Sequence, residues 1–356
     1  MQNIISQFRL SNPTGEPHPL KVGLINDSFI IPAAEKGGES YFLQRINHHI
    51  FTNVEGLQRN IQIVTDHIRE KLISQGVSDI DNRVLRLIPT NDGKLYYKTP
   101  QGDYWRVYHF ISAGHSVERV TAESANLAGV AFGQFQNQLS DLKHSQLCES
   151  IPNFHNIEFR LWQLSEAVKE DKAGRVASSK DILDEINRRA DDMCLGERLF
   201  REGKLKKRIN HCDTKVNNML FDDKGKPMCI VDLDTVMPGF VFSDFGDFMR
   251  TAANTGAEDD RDLNNIHVNM EVFAAYTEGY LSEAQFLTDI EKKLLPYGCR
   301  LLSYMQTVRF LTDWLNGDTY YKIQYPEHNL VRTRAQLQLL KEQERMQQDM
   351  QAIVEH

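Results

Sequence analysis

HCDTKVNNMLFDDKGKPMCIVDLD, residues 211–234, decides how the rest of the chain is to be read. Its first eight residues have the form H-x-D-x-x-x-x-N, which puts the carboxylate of Asp213 and the amide of Asn218 on one short loop behind His211. Two short apolar runs follow around Asp-Lys-Gly, and their spacing predicts a hairpin. The second run ends at Asp232, nineteen positions after Asp213. Phosphoryl transfer needs these parts: a carboxylate that takes the hydroxyl proton and holds the acceptor in line, and Mg²⁺ to neutralise the phosphates. Asp213 fits the first role, with His211 orienting the loop. Asn218 and Asp232 fit the second, with waters and phosphate oxygens completing an octahedral shell. Asp234 is the reserve metal candidate, its other reading being a hydrogen-bonded loop residue. Alone, the eight-residue string also reads as a polar turn before a strand.

Composition narrows the field. The 356 residues are 41% hydrophobic and 25% charged, which is ordinary for a globular chain with a sizeable core. The formal net charge of -8 repels phosphate backbones, so nucleic acid is not expected as a partner. No apolar run approaches the roughly 20 residues that span a bilayer, and MQNIISQFRL lacks the profile of a secretory signal. Five scattered cysteines offer neither a zinc spacing nor a disulfide framework, and a reducing cytoplasm is expected.

Outward from residues 211–234 the chain changes character. Strands and turns dominate the first hundred or so residues, at LKVGLINDSFII, ESYFLQRIN and LYYKTPQGDYWRVYHFI. One helix interrupts them over about 53–75, with Leu57, Ile61, Val64, Ile68 and Leu72 on one face. From Ala122 onward helical patterns take over, and the stretch from about Arg332 favours a helix by composition. The expected fold class is α+β, a two-lobed protein-kinase-like fold with a β-rich N-terminal lobe, residues 1–110, and a mainly helical C-terminal lobe, residues 111–356. Asp244 and Asp247, in FSDFGDFMR, are expected to cap a helix or tie down the loop of Asp213.

The order of these elements resembles the aminoglycoside phosphotransferase and choline kinase superfamily. Within it the chain is most similar to the N-acetylhexosamine 1-kinases, on HCDTKVNNMLFD, IVDLDTVMPG, WRVYHFI, NFHNIEFR, DKAGR, RFLTDWLNGDTYY and KIQYPEHNLVRTR. The resemblance implies ATP and Mg²⁺ as cofactors and N-acetylglucosamine or N-acetylgalactosamine as the small-molecule sugar substrate, phosphorylated at the anomeric hydroxyl. A phosphotransferase for another hydroxyl acceptor, such as an aminoglycoside or choline, is the alternative. A nucleotide-binding module without turnover is the third reading.

On the nucleotide side, VGLINDSF (22–29) stands where a glycine-rich loop covers ATP phosphates. Gly23 permits close approach, and Asn26 and Ser28 offer donors. The strand YFLQRIN carries Gln44 where kinases place a lysine, and Gln62 matches the helix position of that lysine's glutamate partner. Adenine is expected against the backbone near His109, Phe110 and Ile111. For the acceptor, Arg160, Arg309 and Tyr320 join Asp213, a mixture suited to a neutral polyhydroxyl ligand. Arg309 and Asp313, one turn apart, are spaced for an intrahelical ion pair. Cys212 reads as a small buried filler.

Overall fold

The computed structural model describes residues 1–12, 14–20, 25–112, 114 and 120–356. In chain order they form α1 (Gln2–Ile5), β1 (His18–Leu20), β2 (Asp27–Ile31), β3 (Tyr41–Ile46), α2 (Val54–Ser74), β4 (Leu87–Ile88), β5 (Tyr97–Lys98) and β6 (Tyr104–His109). Then come α3 (Ala122–Gln138), α4 (Ile157–Glu170), α5 (Lys180–Met193), α6 (Leu195–Arg201), β7 (Arg208–Asn210), β8 (Met219–Phe221), β9 (Pro227–Ile230) and β10 (Met237–Gly239). The remainder is helical: α7 (Val241–Ala252), α8 (Met270–Glu283), α9 (Asp289–Lys293), α10 (Leu295–Leu315), α11 (His328–Arg345) and α12 (Gln347–Glu355). None of the described helices is long and apolar enough to cross a membrane. Two compact units result. The first gathers Met1–Val117, Gln138–Pro152 and Asn217–Pro238, and the second gathers Glu118–Asn137, Asn153–Val216 and Gly239–His356.

The first unit is built on an antiparallel sheet in the order β1-β2-β3-β6-β4, with β5 also paired to β6. Register follows from alternation, because side chains two apart on a strand share a face. Phe29, Leu43 and Val107 lie across from one another and join Ile31, Tyr41, Ile88 and Trp105 in an apolar core. The opposite face aligns Ser28, Gln44 and Arg106. Asn53 caps α2 by accepting from the Gly56 N–H. Leu57, Ile61, Val64, Ile68 and Leu72 are buried as their period predicts. Gln62, however, is exposed, and the buried glutamine of this helix is Gln58, one turn earlier. β8 and β9 form the expected hairpin.

The second unit packs helices around α10, which is buried along nearly its whole length. Its tightest crossing is with α7. A Cβ on Gly298 would lie 2.0 Å from the Phe242 carbonyl oxygen, and one on Gly246 would lie 2.2 Å from the Gly298 oxygen. Only glycine lets backbones approach this closely, and α7 carries Asp244 and Asp247. The C-terminal helical stretch begins at His328, four residues before the expected Arg332, and is divided at Met346. Gly298→Ala should lower stability by at least the 1–3 kcal/mol typical of an overpacked core, because backbone rather than a pliable side chain must move. Urea unfolding monitored by circular dichroism measures this directly.

Candidate active-site residues

In the second unit the loop after β7 is held by its backbone. The Asp244 carboxylate, on α7, accepts from the N–H groups of His211 (2.7 Å) and Cys212 (2.8 Å). Asp247 accepts from the Thr214 N–H at 3.2 Å and is ion-paired with Arg250. Gln136 donates to Asp244 and in turn accepts from the Tyr280 hydroxyl. The expected structural role of both aspartates is borne out. His211 is fully buried against Phe132 and Phe135, and its Nδ1 accepts from the Asp213 N–H at 3.3 Å. Cys212 is buried at φ 63°, a left-handed conformation that non-glycine residues adopt at a cost. These constraints leave the Asp213 side chain partly exposed, 2.9 Å from the Lys215 ammonium. Burial pushes the Asp244 carboxyl up to about 6, against the lowering effect of His211 and of the N–H groups it accepts from.

The same unit assembles a polar cluster from three distant segments. Arg160 donates to the Phe154 carbonyl and to Gln163, and Phe154 stacks on His155. Arg309 lies over the rings of Phe154 and Tyr321 and donates to Gln306. His155 Nδ1 and the Tyr321 hydroxyl are both buried with no hydrogen-bond partner among the described residues. Burial, then Arg309 and Arg160, push the His155 imidazolium down to about 3, so the ring is neutral. Burial and Arg309 bring Arg160 down to about 10. Tyr320 packs edge-on against Tyr321 but points largely to solvent, 62% exposed.

The expected Arg309–Asp313 ion pair is replaced by a different arrangement. Asp313 accepts from the N–H groups of Thr319, Tyr320 and Tyr321 at 2.8–2.9 Å and from the Asn329 amide. A buried carboxylate near the end of a helix gains more from three backbone donors than from one flexible side chain. α10 ends there, with Gly317 at φ 88°.

In the first unit, Arg106 is a guanidinium with only 2% of its side chain exposed. Its Nη1 and Nη2 donate to the two oxygens of Asp234. Nε and Nη2 donate to the Gln44 oxygen at 3.0 and 2.7 Å. The Gln44 amide donates to Ser28 at 3.0 Å, and Asn26 donates to Asp234 at 2.7 Å. Asn26, Ser28, Gln44 and Asp234 therefore belong to one network. Asn218 and Asp232 sit at the open end of the β8–β9 hairpin, where the Val231 N–H donates to the Asn218 carbonyl. Asp232 is left-handed, φ 60°. An aspartate and an asparagine bring hard oxygen donors of the type Mg²⁺ takes, and a site with two protein ligands leaves room for waters and phosphate. Both Asp234 oxygens are already engaged. His109 lies at the end of β6 beside Arg86, and Ile111 is buried. Gly23 lies outside the described residues.

A family model described as the phosphotransferase enzyme family matches residues 18–287. The chain belongs to that family. Among solved structures it is similar to an aminoglycoside phosphotransferase from Alicyclobacillus acidocaldarius, 12% identical over 100% of this chain and 96% of that one, with a TM-score of 0.64. An amicoumacin kinase solved with AMP-PNP and Ca²⁺ is 14% identical over 96% and 92% of the two chains, with a TM-score of 0.62. A choline kinase from Cryptosporidium parvum is 15% identical over 94% and 91%, with a TM-score of 0.53. At such identities the likeness establishes the kinase-like fold, β-rich at its N-terminal end and mainly helical beyond, as the sequence predicts.

Three residues of this phosphotransferase's polar clusters escaped the sequence reading. Arg106 pairs with Gln44 only through strand register. His155 sits inside NFHNIEFR, whose length marked the segment without singling out a residue. Tyr321 is the neighbour of Tyr320 whose hydroxyl is buried. The raised Asp244 carboxyl has a measurable consequence. Between the unfolded value near 4 and about 6 the folded state holds the proton that the unfolded chain releases, so this group's contribution falls as pH rises. Measured against Asp244→Asn, which does not titrate there, the wild-type chain should lose roughly 2 kcal/mol of unfolding free energy between pH 4 and pH 6.

Proposed function

We propose that this phosphotransferase transfers the γ-phosphoryl group of ATP to the anomeric hydroxyl of N-acetylhexosamines, with Mg²⁺, in the cytoplasm. Asp213 takes the hydroxyl proton and holds the acceptor in line, and the backbone grip of Asp244 and Asp247 fixes its loop. Asn218 and Asp232 hold Mg²⁺, which when bound neutralises phosphate charge. Asn26, Ser28 and Gln44 lie toward the phosphates, and the backbone near His109 and Ile111 takes the adenine. The nucleotide-binding lobe corresponds to residues 1–110 and the acceptor lobe to 111–356.

The observation that carries the acceptor class is the cluster around His155. Two guanidiniums, a neutral imidazole and a buried phenol lie together, and Arg309 and Arg160 act on His155 more strongly than Asp213 does. An aminoglycoside or choline brings positive charge, which the guanidiniums repel. A sugar brings neutral hydroxyls and an acetamido carbonyl, which accept from arginine forks and match the partnerless groups of His155 and Tyr321. The resemblance to N-acetylhexosamine 1-kinases points the same way. Arg309, Arg160 and Tyr321 contact the sugar on this reading, with Tyr320 at the rim.

The test is an ADP-release assay over hexoses, N-acetylhexosamines, choline and kanamycin. Turnover with N-acetylglucosamine or N-acetylgalactosamine at least ten times that with any cation supports the reading, whereas preference for choline or kanamycin replaces it with the alternative. Absence of turnover with every acceptor, alongside ATP binding by calorimetry, would leave a binding module. With the preferred acceptor, Asp213→Asn should lower kcat by about 10²–10⁴-fold while ATP affinity stays near that of the wild type. Arg309→Ala should raise the sugar KM roughly 5- to 150-fold, the loss of one donor to a buried polar ligand, with the ATP KM little changed.

A further inference from the structure

Kinases that carry a lysine on the strand equivalent to β3 use it as a cation facing the nucleotide phosphates, and here that position is Gln44. The charge has not vanished from the sheet. It lies one strand over, directly across from Gln44 in the register, as Arg106.

The direction of every hydrogen bond around Arg106 follows from chemistry. Arginine only donates and an ionised carboxylate only accepts. The Arg106 Nε and Nη2 groups converge on one atom of Gln44, which must therefore be the amide oxygen. The Gln44 NH₂ is thereby turned toward Ser28 Oγ, 3.0 Å away, and the hydroxyl oxygen accepts. Its own proton must then point elsewhere, as a donor. On the other side, Asp234 accepts from Arg106 and from the Asn26 amide, whose oxygen accepts the Asn47 N–H at 2.9 Å. Asn26 and Ser28 flank the start of β2, directly after the segment on which Gly23 lies.

We propose that Arg106 is the positioning residue of the nucleotide-binding side. It takes over from the absent lysine, without replacing its direct contact, by fixing the Gln44 amide and so presenting the Ser28 hydroxyl as a donor to an oxygen of the nucleotide's phosphates. The proposal rests on the reading of residues 1–110 as the nucleotide-binding lobe. It differs from a purely structural buried ion pair, which would be indifferent to which way the Ser28 proton points.

That indifference makes the test. Gln44→Glu is nearly isosteric and gives Arg106 a second carboxylate, so the fold should be kept. A carboxylate cannot donate, however, so the Ser28 hydroxyl must turn its proton inward to reach it. Calorimetry with ATP and Mg²⁺, without acceptor, reads the result in four proteins: wild type, Ser28→Ala, Gln44→Glu and the double variant. Ser28→Ala should weaken binding about ten-fold or more, and Gln44→Glu at least as much with the melting temperature held. In the double variant the second change should add less than about two-fold. Equal weakening by Gln44→Glu in both backgrounds would show simple repulsion of the nucleotide and overturn the proposal, as would unchanged binding in Gln44→Glu. Arg106→Lys provides the second arm. An ammonium lacks the fork that serves both Gln44 and Asp234, so the ATP Kd should rise while the acceptor KM holds, and an unaltered ATP Kd in a folded Arg106→Lys protein would also overturn it. If the wild-type chain binds no ATP, the nucleotide reading itself falls, an outcome distinct from the others.

Discussion

A buried carboxylate with no ion pair among the described residues has to be satisfied by hydrogen bonds, and Asp244 is satisfied by the backbone of the loop it faces. The N–H groups of His211 and Cys212 converge on its two oxygens, and the Gln136 amide completes the set. The bond is reciprocal in effect. The carboxylate cannot move without stranding two donors, and the loop cannot move without stranding the carboxylate. The left-handed turn at Cys212, which would otherwise relax, is held in place by the same contacts. The close crossing of α7 and α10 at Gly246 and Gly298 then fixes the helix on which Asp244 rides.

Two polar clusters, one in each unit, handle buried charge in opposite ways. In the first, the buried charge is matched one to one: Arg106 has Asp234, and the amides of Gln44 and Asn26 complete both partners. In the second, Arg160 and Arg309 share neutral acceptors and aromatic faces, and the cost is visible in the depressed His155 and Arg160. Groups left short of partners in a folded chain suit a ligand that brings hydroxyls and carbonyls, because such a ligand supplies the missing bonds at the moment it binds.

Most of the fold was legible in the sequence because its signals are local. The loop from His211 to Asn218, the hairpin after it and the face of α2 all depend on spacings of fewer than about twenty residues. What stayed hidden depends on phase or on distant partners. Gln58 and Gln62 differ by one helical turn, and only packing shows that the first is buried. Tyr320 and Tyr321 are adjacent and both donate their N–H to Asp313, yet the Tyr321 hydroxyl is buried while Tyr320 is 62% exposed. The i, i+4 spacing of Arg309 and Asp313 was correctly read, yet helix termination outcompeted it. Arg106 was out of reach of any local pattern, since its meaning comes from a strand partner 62 positions away.

The register that sets Gln44 against Arg106 also bears on how such a chain can change over time. Placing a lysine at position 44 would bring an ammonium against a guanidinium with only 2% of its side chain exposed, and removing Arg106 would strand the Asp234 carboxylate. Either single step passes through a protein with an uncompensated buried charge. A lysine at position 44 therefore fits this sheet only together with a change at position 106. The two positions form one unit for substitution, and changing either alone carries a cost that changing both does not.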